Sequence, residues 1–312
     1  MDYLPNIFFA IALFVSIGFF VMNILKLIRN IKLGKDIDRS DRKTERWKNM
    51  ARIALGQSKM VSRPFAGFLH VIVYIGFVVI NIEVLEIVID GLFGTHRVFQ
   101  PLLGNSIYGF LIGTFEILAF LVLVAVILFW LRRNIVQLKR FMSKEMKGWP
   151  KSDGNLILYF EIVLMSLFIV MNATDHTFQE AGFGNPISQF VFPWFSGYSL
   201  DTLAAIEHTA WWVHIIGILI FLNYLYYSKH LHILLAFPNT FFANLDPKGQ
   251  FNNLASVTSE VRIMMDPDAD PYAMPEEGAE DEIPEKFGVS DVTDLNWVQL
   301  LNAYTCTECG RC

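Results

Sequence analysis

The sequence predicts an all-α membrane protein: five transmembrane helices, an acidic arm, and the beginning of a small helical unit that carries cysteines. Three observations predict it. Hydrophobic residues fill 54% of the 312 positions, charged residues 18%, and mean hydropathy is +0.41, too apolar for a water-soluble domain. Five stretches approach the roughly 20 apolar residues needed to cross a hydrocarbon core about 30 Å thick. The net charge of −5 is unevenly divided: residues 1–245 carry 21 Lys and Arg against 16 Asp and Glu, whereas 246–312 carry 4 against 14.

The first span, 4–25, follows Met1-Asp2-Tyr3 without a basic leader, and positive charge begins at Lys26, so it is expected to stay as a helix. Further spans are expected at 65–89, 105–131, 155–172 and 209–227. The connection 26–64 holds 12 Lys and Arg and 132–154 holds 7, whereas 90–104 holds Arg97 alone and 173–207 none. Lys and Arg concentrate in cytoplasmic loops. The expected location is therefore the cytoplasmic membrane, with the amino terminus outside and the acidic tail in the cytoplasm. The bilayer is the expected surrounding, and nucleic acid is not an expected partner.

The membrane domain is read as 1–245. Residues 246–290 form the arm, in which DPDADPYAMPEEGAEDEIPE at 266–285 sets four prolines among carboxylates and has no core of its own. Residues 291–312 start a new unit, where Val292, Leu295, Val298, Leu301 and Tyr304 would share one side of a helix leading into the cysteines. Attraction between the basic 26–64 connection and the acidic tail is one way to dock that unit, although orientation alone also places such a loop there.

Four of the seven histidines gather in HTAWWVHIIGILIFLNYLYYSKHLH. At 3.6 residues per turn, His214 and His232 are five whole turns apart, so both rings would share one face about 27 Å apart along the axis. His230 would point nearly opposite and snorkel toward lipid phosphates. His70 enters the second span at the height of His232. Two imidazoles facing each other from neighbouring helices, with Gly67 and Gly76 leaving room for a flat macrocycle, are what a bis-histidine haem b requires. A hydrogen-bonded packing role is the other reading of any single intramembrane histidine.

On these residues the membrane part resembles the haem b γ subunit of respiratory nitrate reductase and related membrane subunits of heterodisulfide reductases. Those are five-helix proteins with a ligand pair 18 residues apart on the last helix, which His214 and His232 match; SKHLHI and the following AFPN are similar to the version joined to an iron–sulfur protein. The nitrate reductase pattern has two ligands ten residues apart on the second helix. Here His70 stands alone, with Met60 and Ile80 at those offsets. The resemblance therefore implies one haem b, or two if His214 finds another partner, with His176 and His96 the candidates.

The chain ends on Cys306-Thr307-Glu308-Cys309-Gly310-Arg311-Cys312. Cys-x2-Cys-x2-Cys begins the bacterial ferredoxin run, in which three cysteines hold one cluster and a fourth serves its neighbour. A [4Fe–4S] cluster needs four thiolates and tetrahedral zinc four ligands, so Cys306, Cys309 and Cys312 are expected to be completed by ligands outside this segment. Residues 291–312 look like the entry to a ferredoxin-type domain with heterodisulfide-reductase-like cysteine-rich units.

Haem beside a cytoplasmic iron–sulfur unit implies a quinone-linked oxidoreductase. Electrons would pass between membrane menaquinone or ubiquinone and a cytoplasmic redox protein, either a flavoprotein or a disulfide-reductase-like protein. Carboxylates would handle the protons: Glu83 and Glu116 are favoured, with Glu161 nearer the cytoplasmic side, since ionisable groups within spans are expensive. Glu83 and Glu86 also lie near enough to a helix end to reach water. His208, with Glu207 and His176, marks an outer segment where a quinone headgroup could sit. The alternative is a non-redox membrane scaffold or proton-coupled transporter with a zinc-binding cysteine cluster.

Overall fold

A computed structural model describes residues 3–247, 249–250, 253–267 and 288–309. Cys312 and residues 268–287, which include most of the Pro-rich carboxylate run, lie outside the described residues. The helices are α1 (Leu4–Ile31), α2 (Lys43–Met50), α3 (Pro64–Phe93), α4 (Phe99–Asn134), α5 (Trp149–Thr174), α6 (His176–Ala181), α7 (Ser188–Val191), α8 (Leu200–Tyr224), α9 (His232–Phe241), α10 (Ala255–Met265) and α11 (Trp297–Thr305). Five of them, α1, α3, α4, α5 and α8 with its 3-10 extension to Tyr227, are long and apolar enough to cross a membrane.

Local chemistry sets the helix ends. Pro64 opens α3, where its missing N–H loses no helical bond. Gly94, at φ 70°, closes that helix in the left-handed region. Gly104, at φ 75°, kinks α4, so the straight span begins at residue 105 as expected. Ser199 caps α8 by accepting the N–H of Thr202. That cap starts the fifth span at Leu200, nine residues before the apolar stretch read from composition.

The main core joins α3, α4 and α5 through Ile80, Ile112, Phe115, Ala119, Val122 and Phe168. A second core sets Phe9 and Leu13 of α1 against Ile87 of α3 and Ile215 and Leu219 of α8. Much of the rest of α1 is exposed apolar surface, Phe14 at 67% for instance, as a lipid-facing helix requires.

Three sequence expectations change. The last span and the histidines after it do not share one helix: the chain breaks at Ser228, at φ −110° and ψ 150°, makes a 3-10 turn over Lys229–Leu231, and restarts as α9. The five-turn register between His214 and His232 therefore does not exist. The helix expected from Val292 to Tyr304 starts at Trp297, because Asn296 and Gln299 form a capping box; Val292–Asp294 is a separate 3-10 turn. The front of the arm contains the 11-residue helix α10.

The cysteine-bearing unit is docked on the bundle. Lys35 N–H donates to Leu295 O at 2.8 Å, Trp297 N–H to Lys35 O at 3.1 Å, and Trp297 Nε1 to Ile37 O at 3.0 Å. A Cβ on Gly34 would stand 2.6 Å from Trp297 N, so glycine permits this approach. Backbone pairing and an indole make this contact, and Arg42 of the basic connection pairs with Asp246 of the tail at 3.4 Å.

Candidate functional site

The 26–64 and 132–154 connections define a basic end of the bundle, and three histidines meet there. His70 of α3 and His232 of α9 have ring centres 6.5 Å apart, with planes inclined by 40°. His230 joins them, 5.5 Å from His232 and 5.4 Å from the Phe221 ring. The expectation that His230 points away toward lipid phosphates is thus overturned. The break at Ser228 turns it inward: Ser228 Oγ accepts the N–H of His230 at 3.0 Å, and Asp153 accepts the N–H of Lys229 at 3.0 Å. Burial first, then the neighbouring His232 and His70, pushes the His230 pKa down to about 3. Burial also lowers His232.

The ring nitrogens are set for an electrophile. His232 Nδ1–H donates to Lys229 O at 2.9 Å, which leaves the Nε2 lone pair uncommitted. Nδ1 of His70 is buried without a hydrogen-bond partner among the described residues. The glycines do not form the expected gap beside the rings. A Cβ on Gly67 would lie 2.3 Å from Met60 O, and one on Gly76 would lie 2.4 Å from Val122 Cγ2, so both serve close helix and loop packing.

The cysteine segment reaches the same place. Lys229 Nζ donates to Glu308 Oε2 at 3.3 Å and to Pro150 O at 2.8 Å. Glu308 N–H points at Cys306 Sγ, 3.4 Å away, an amide-to-sulfur bond of the kind that supports a thiolate. Cys306 is exposed and Cys309 half-buried, both as free thiols. No group of three or more His, Cys, Asp or Glu side chains arranged for a metal ion occurs among the described residues.

His214 sits apart. Its Nδ1–H donates to Leu164 O at 3.0 Å, and Phe168 is its ring neighbour at 6.2 Å. It lines a cavity of about 80 Å³ with Glu161, Asn81, Gly76 and Val122. The candidate partners for His214 are engaged elsewhere: His176 contacts Glu180 at 3.6 Å and the Phe192 ring, and His96 contacts Asp175 at 3.5 Å. His208 is exposed and accepts from Trp212 Nε1 at 3.1 Å.

The carboxylates at the opposite end differ sharply. Glu83 and Glu86 are each only 4% exposed, so the reading in which they reach water does not hold. Glu86 accepts from Phe99 N–H at 2.8 Å and from the Tyr108 hydroxyl at 3.0 Å. Glu116 accepts from Asn172 Nδ2 at 3.0 Å and from the N–H groups of Ile187 and Ser188 at 2.9 and 3.0 Å, tying α7 to the bundle. Glu83 Oε2 has no partner among the described residues.

Sequence reasoning missed Arg97 as more than a loop charge. Its guanidinium binds Asp175 at 2.9 Å, Asn172 at 3.1 Å and Tyr108 at 3.3 Å, and lies 4.1 Å over the Phe178 ring. Its isolation among outer-loop residues otherwise free of Lys and Arg was the available signal.

No family model matches the chain, and no solved structure does. Among curated proteins it is similar to "Probable iron-sulfur-binding oxidoreductase FadF" of Bacillus subtilis (strain 168), 27% identical over 304 residues, which is 95% of this chain and 38% of that protein. It is also similar to "EtfAB:quinone oxidoreductase" of Syntrophomonas wolfei, 23% identical over 315 residues, 97% of this chain and 39% of that protein. The chain therefore spans less than two fifths of the length of these relatives, and lies almost wholly within the stretch they share with it.

Proposed function

We propose that this chain is the membrane part of an iron–sulfur oxidoreductase, passing electrons between a membrane quinone, menaquinone or ubiquinone, and a cytoplasmic redox protein. The two relatives support the reading by name: one is called an iron–sulfur-binding oxidoreductase, the other a quinone oxidoreductase. The observation that carries it is an unbroken line of contacts at the basic end. His70 faces His232, His232 is bonded to the Lys229 carbonyl, and the Lys229 ammonium is bonded to Glu308, between Cys306 and Cys309.

His70 and His232 are the residues to hold haem b, which supplies one-electron transfer when bound. The fit rests on the facing rings, 6.5 Å between centres, and on Nδ1 of His70, which is unpaired among the described residues. The Lys229 carbonyl fixes the tautomer and orientation of His232. Cys306, Cys309 and Cys312 would supply thiolates to a [4Fe–4S] cluster, which takes four. His214, without a facing histidine, fits a second haem less well. Glu83 is the proton-handling group at the opposite end, because its carboxyl oxygen is buried and uncommitted; Glu116 is committed to three donors. Loop charge supports a cytoplasmic basic end, where a flavoprotein or disulfide-reductase-like protein would meet the iron–sulfur end. A zinc-bearing scaffold or proton-coupled transporter is less favoured, because both relatives are named oxidoreductases.

Anaerobic addition of a reduced menaquinone analogue to the purified full-length protein tests the quinone link. The expected result is a visible b-type band equal to most of that produced by dithionite. A band produced by dithionite and by no quinol would remove the quinone from the account.

A further inference from the structure

A second basic site lies at the same end, about one helical turn before His70 on α3. A pocket of about 580 Å³ opens between the first turn of α3 and the last turn of α4, lined by Arg63, Arg132 and Arg140 together with Ser62, Phe65 and Leu138. We propose that it binds the phosphate of an anionic phospholipid in the leaflet at the basic end, independently of the electron-transfer reading.

The donors are suited to phosphate. Arginine offers a planar fork that matches phosphate oxygens in pairs. Among the described residues, buried Nη1 of Arg132 has no hydrogen-bond partner and no carboxylate pairs with Arg63 or Arg132. The Phe65 ring, 5.1 Å from the Arg132 guanidinium carbon, holds that side chain over the pocket. The neighbouring Arg133 is turned away, donating to Pro150 O at 2.8 Å, so the pocket is more than a general surplus of interfacial arginine. The first N–H groups of α3 open on the same side, and no side chain caps them.

Depth and wall chemistry point to a lipid rather than free phosphate. Arg132 lies in the last turn of one spanning helix and Pro64 begins another, so the pocket is at headgroup height. Pro64, Phe65, Ala66 and Leu138 supply an apolar wall suited to a glycerol backbone and the start of acyl chains. A net negative headgroup is favoured over a zwitterionic one because the arginines add charge attraction, a basic pocket between spanning helices being a recurrent lipid site.

The test is native mass spectrometry of the full-length protein in detergent with an equimolar mixture of dioleoylphosphatidylglycerol and dioleoylphosphatidylcholine. The wild type should retain phosphatidylglycerol in preference by at least about fivefold, with each of Arg63→Gln and Arg132→Gln lowering that preference by about fivefold. Arg52→Gln, an exposed arginine outside the pocket, should leave it unchanged. Equal retention of the two lipids by the wild type would overturn the proposal. So would displacement of phosphatidylglycerol by inorganic phosphate at matched concentration, which would make the site one for soluble phosphate.

Discussion

Lys229 and Glu308 meet at 3.3 Å although 79 residues separate them, and this contact sets the cysteine segment beside the histidine pair. Glu308 is 43% exposed, so solvent screens the pair and its worth to stability is under about 1 kcal/mol. Its role in the account is positional. Glu308→Gln should therefore leave thermal stability nearly unchanged and slow electron passage from the haem side to the cluster, read by stopped-flow absorbance. An unchanged rate would detach the pair from the path.

Docking of α11 depends on Gly34. Gly34→Ala forces a methyl against the Trp297 backbone, and overpacking of this kind costs about 1–3 kcal/mol. The expected result is faster proteolysis within 288–297, with the visible spectrum of the membrane part retained. Unchanged proteolysis would contradict the docked arrangement.

Glu83 and Glu116 separate a proton-handling role from a structural one. Glu83→Gln should lower quinol-driven reduction by about a hundredfold, the scale of a lost general acid–base group, with stability little altered. Glu116→Gln should do the reverse: stability falls by about 1–3 kcal/mol as N–H donors of α7 lose an acceptor, and the rate survives in the folded fraction. Thermal unfolding and quinol-driven reduction on the same samples decide it.

Arg46 is 1% exposed and holds the α2 region against α9, donating to Phe241 O at 3.2 Å and Ala243 O at 3.0 Å while pairing with Asp41. Arg46→Met should cost about 1–3 kcal/mol, because half-buried carbonyls lose their donor. The hydrogen bond from Arg46, against a smaller effect of desolvation, lowers the Asp41 pKa from its ordinary 3.8. A depressed carboxyl contributes stability above its unfolded value and loses it as pH falls through the folded one. Amide exchange over 41–46 should therefore show no loss of protection from this pair between pH 8 and pH 5, with loosening only below 3.8.

The five spans were legible because lipid demands long apolar runs, and composition reports that demand directly. The proximity of His70 and His232 was also legible, but for a reason that did not survive: the regular register expected between His214 and His232 ends at Ser228. That break depends on Asp153, 76 residues from Lys229, taking a backbone N–H that a continuous helix would have used. No local pattern announces such a partner. The fates of Glu83 and Glu116 were hidden for the same reason. Both are acids within apolar helices, and distant donors, Asn172 Nδ2 and the N–H groups of Ile187 and Ser188, distinguish them. Arg97 likewise shows its value only once α4 and α5 bring Tyr108, Asn172 and Asp175 around it.

The most direct test is the dithionite-reduced minus air-oxidised visible spectrum of the purified full-length protein, beside His70→Ala, His232→Ala and His230→Ala. Sharp b-type bands are expected in the wild type, with their loss in the first two variants and their survival in His230→Ala, whose ring packs on Phe221. A flat wild-type spectrum after expression with ample haem, or bands that persist without His70 and His232, would contradict the haem reading.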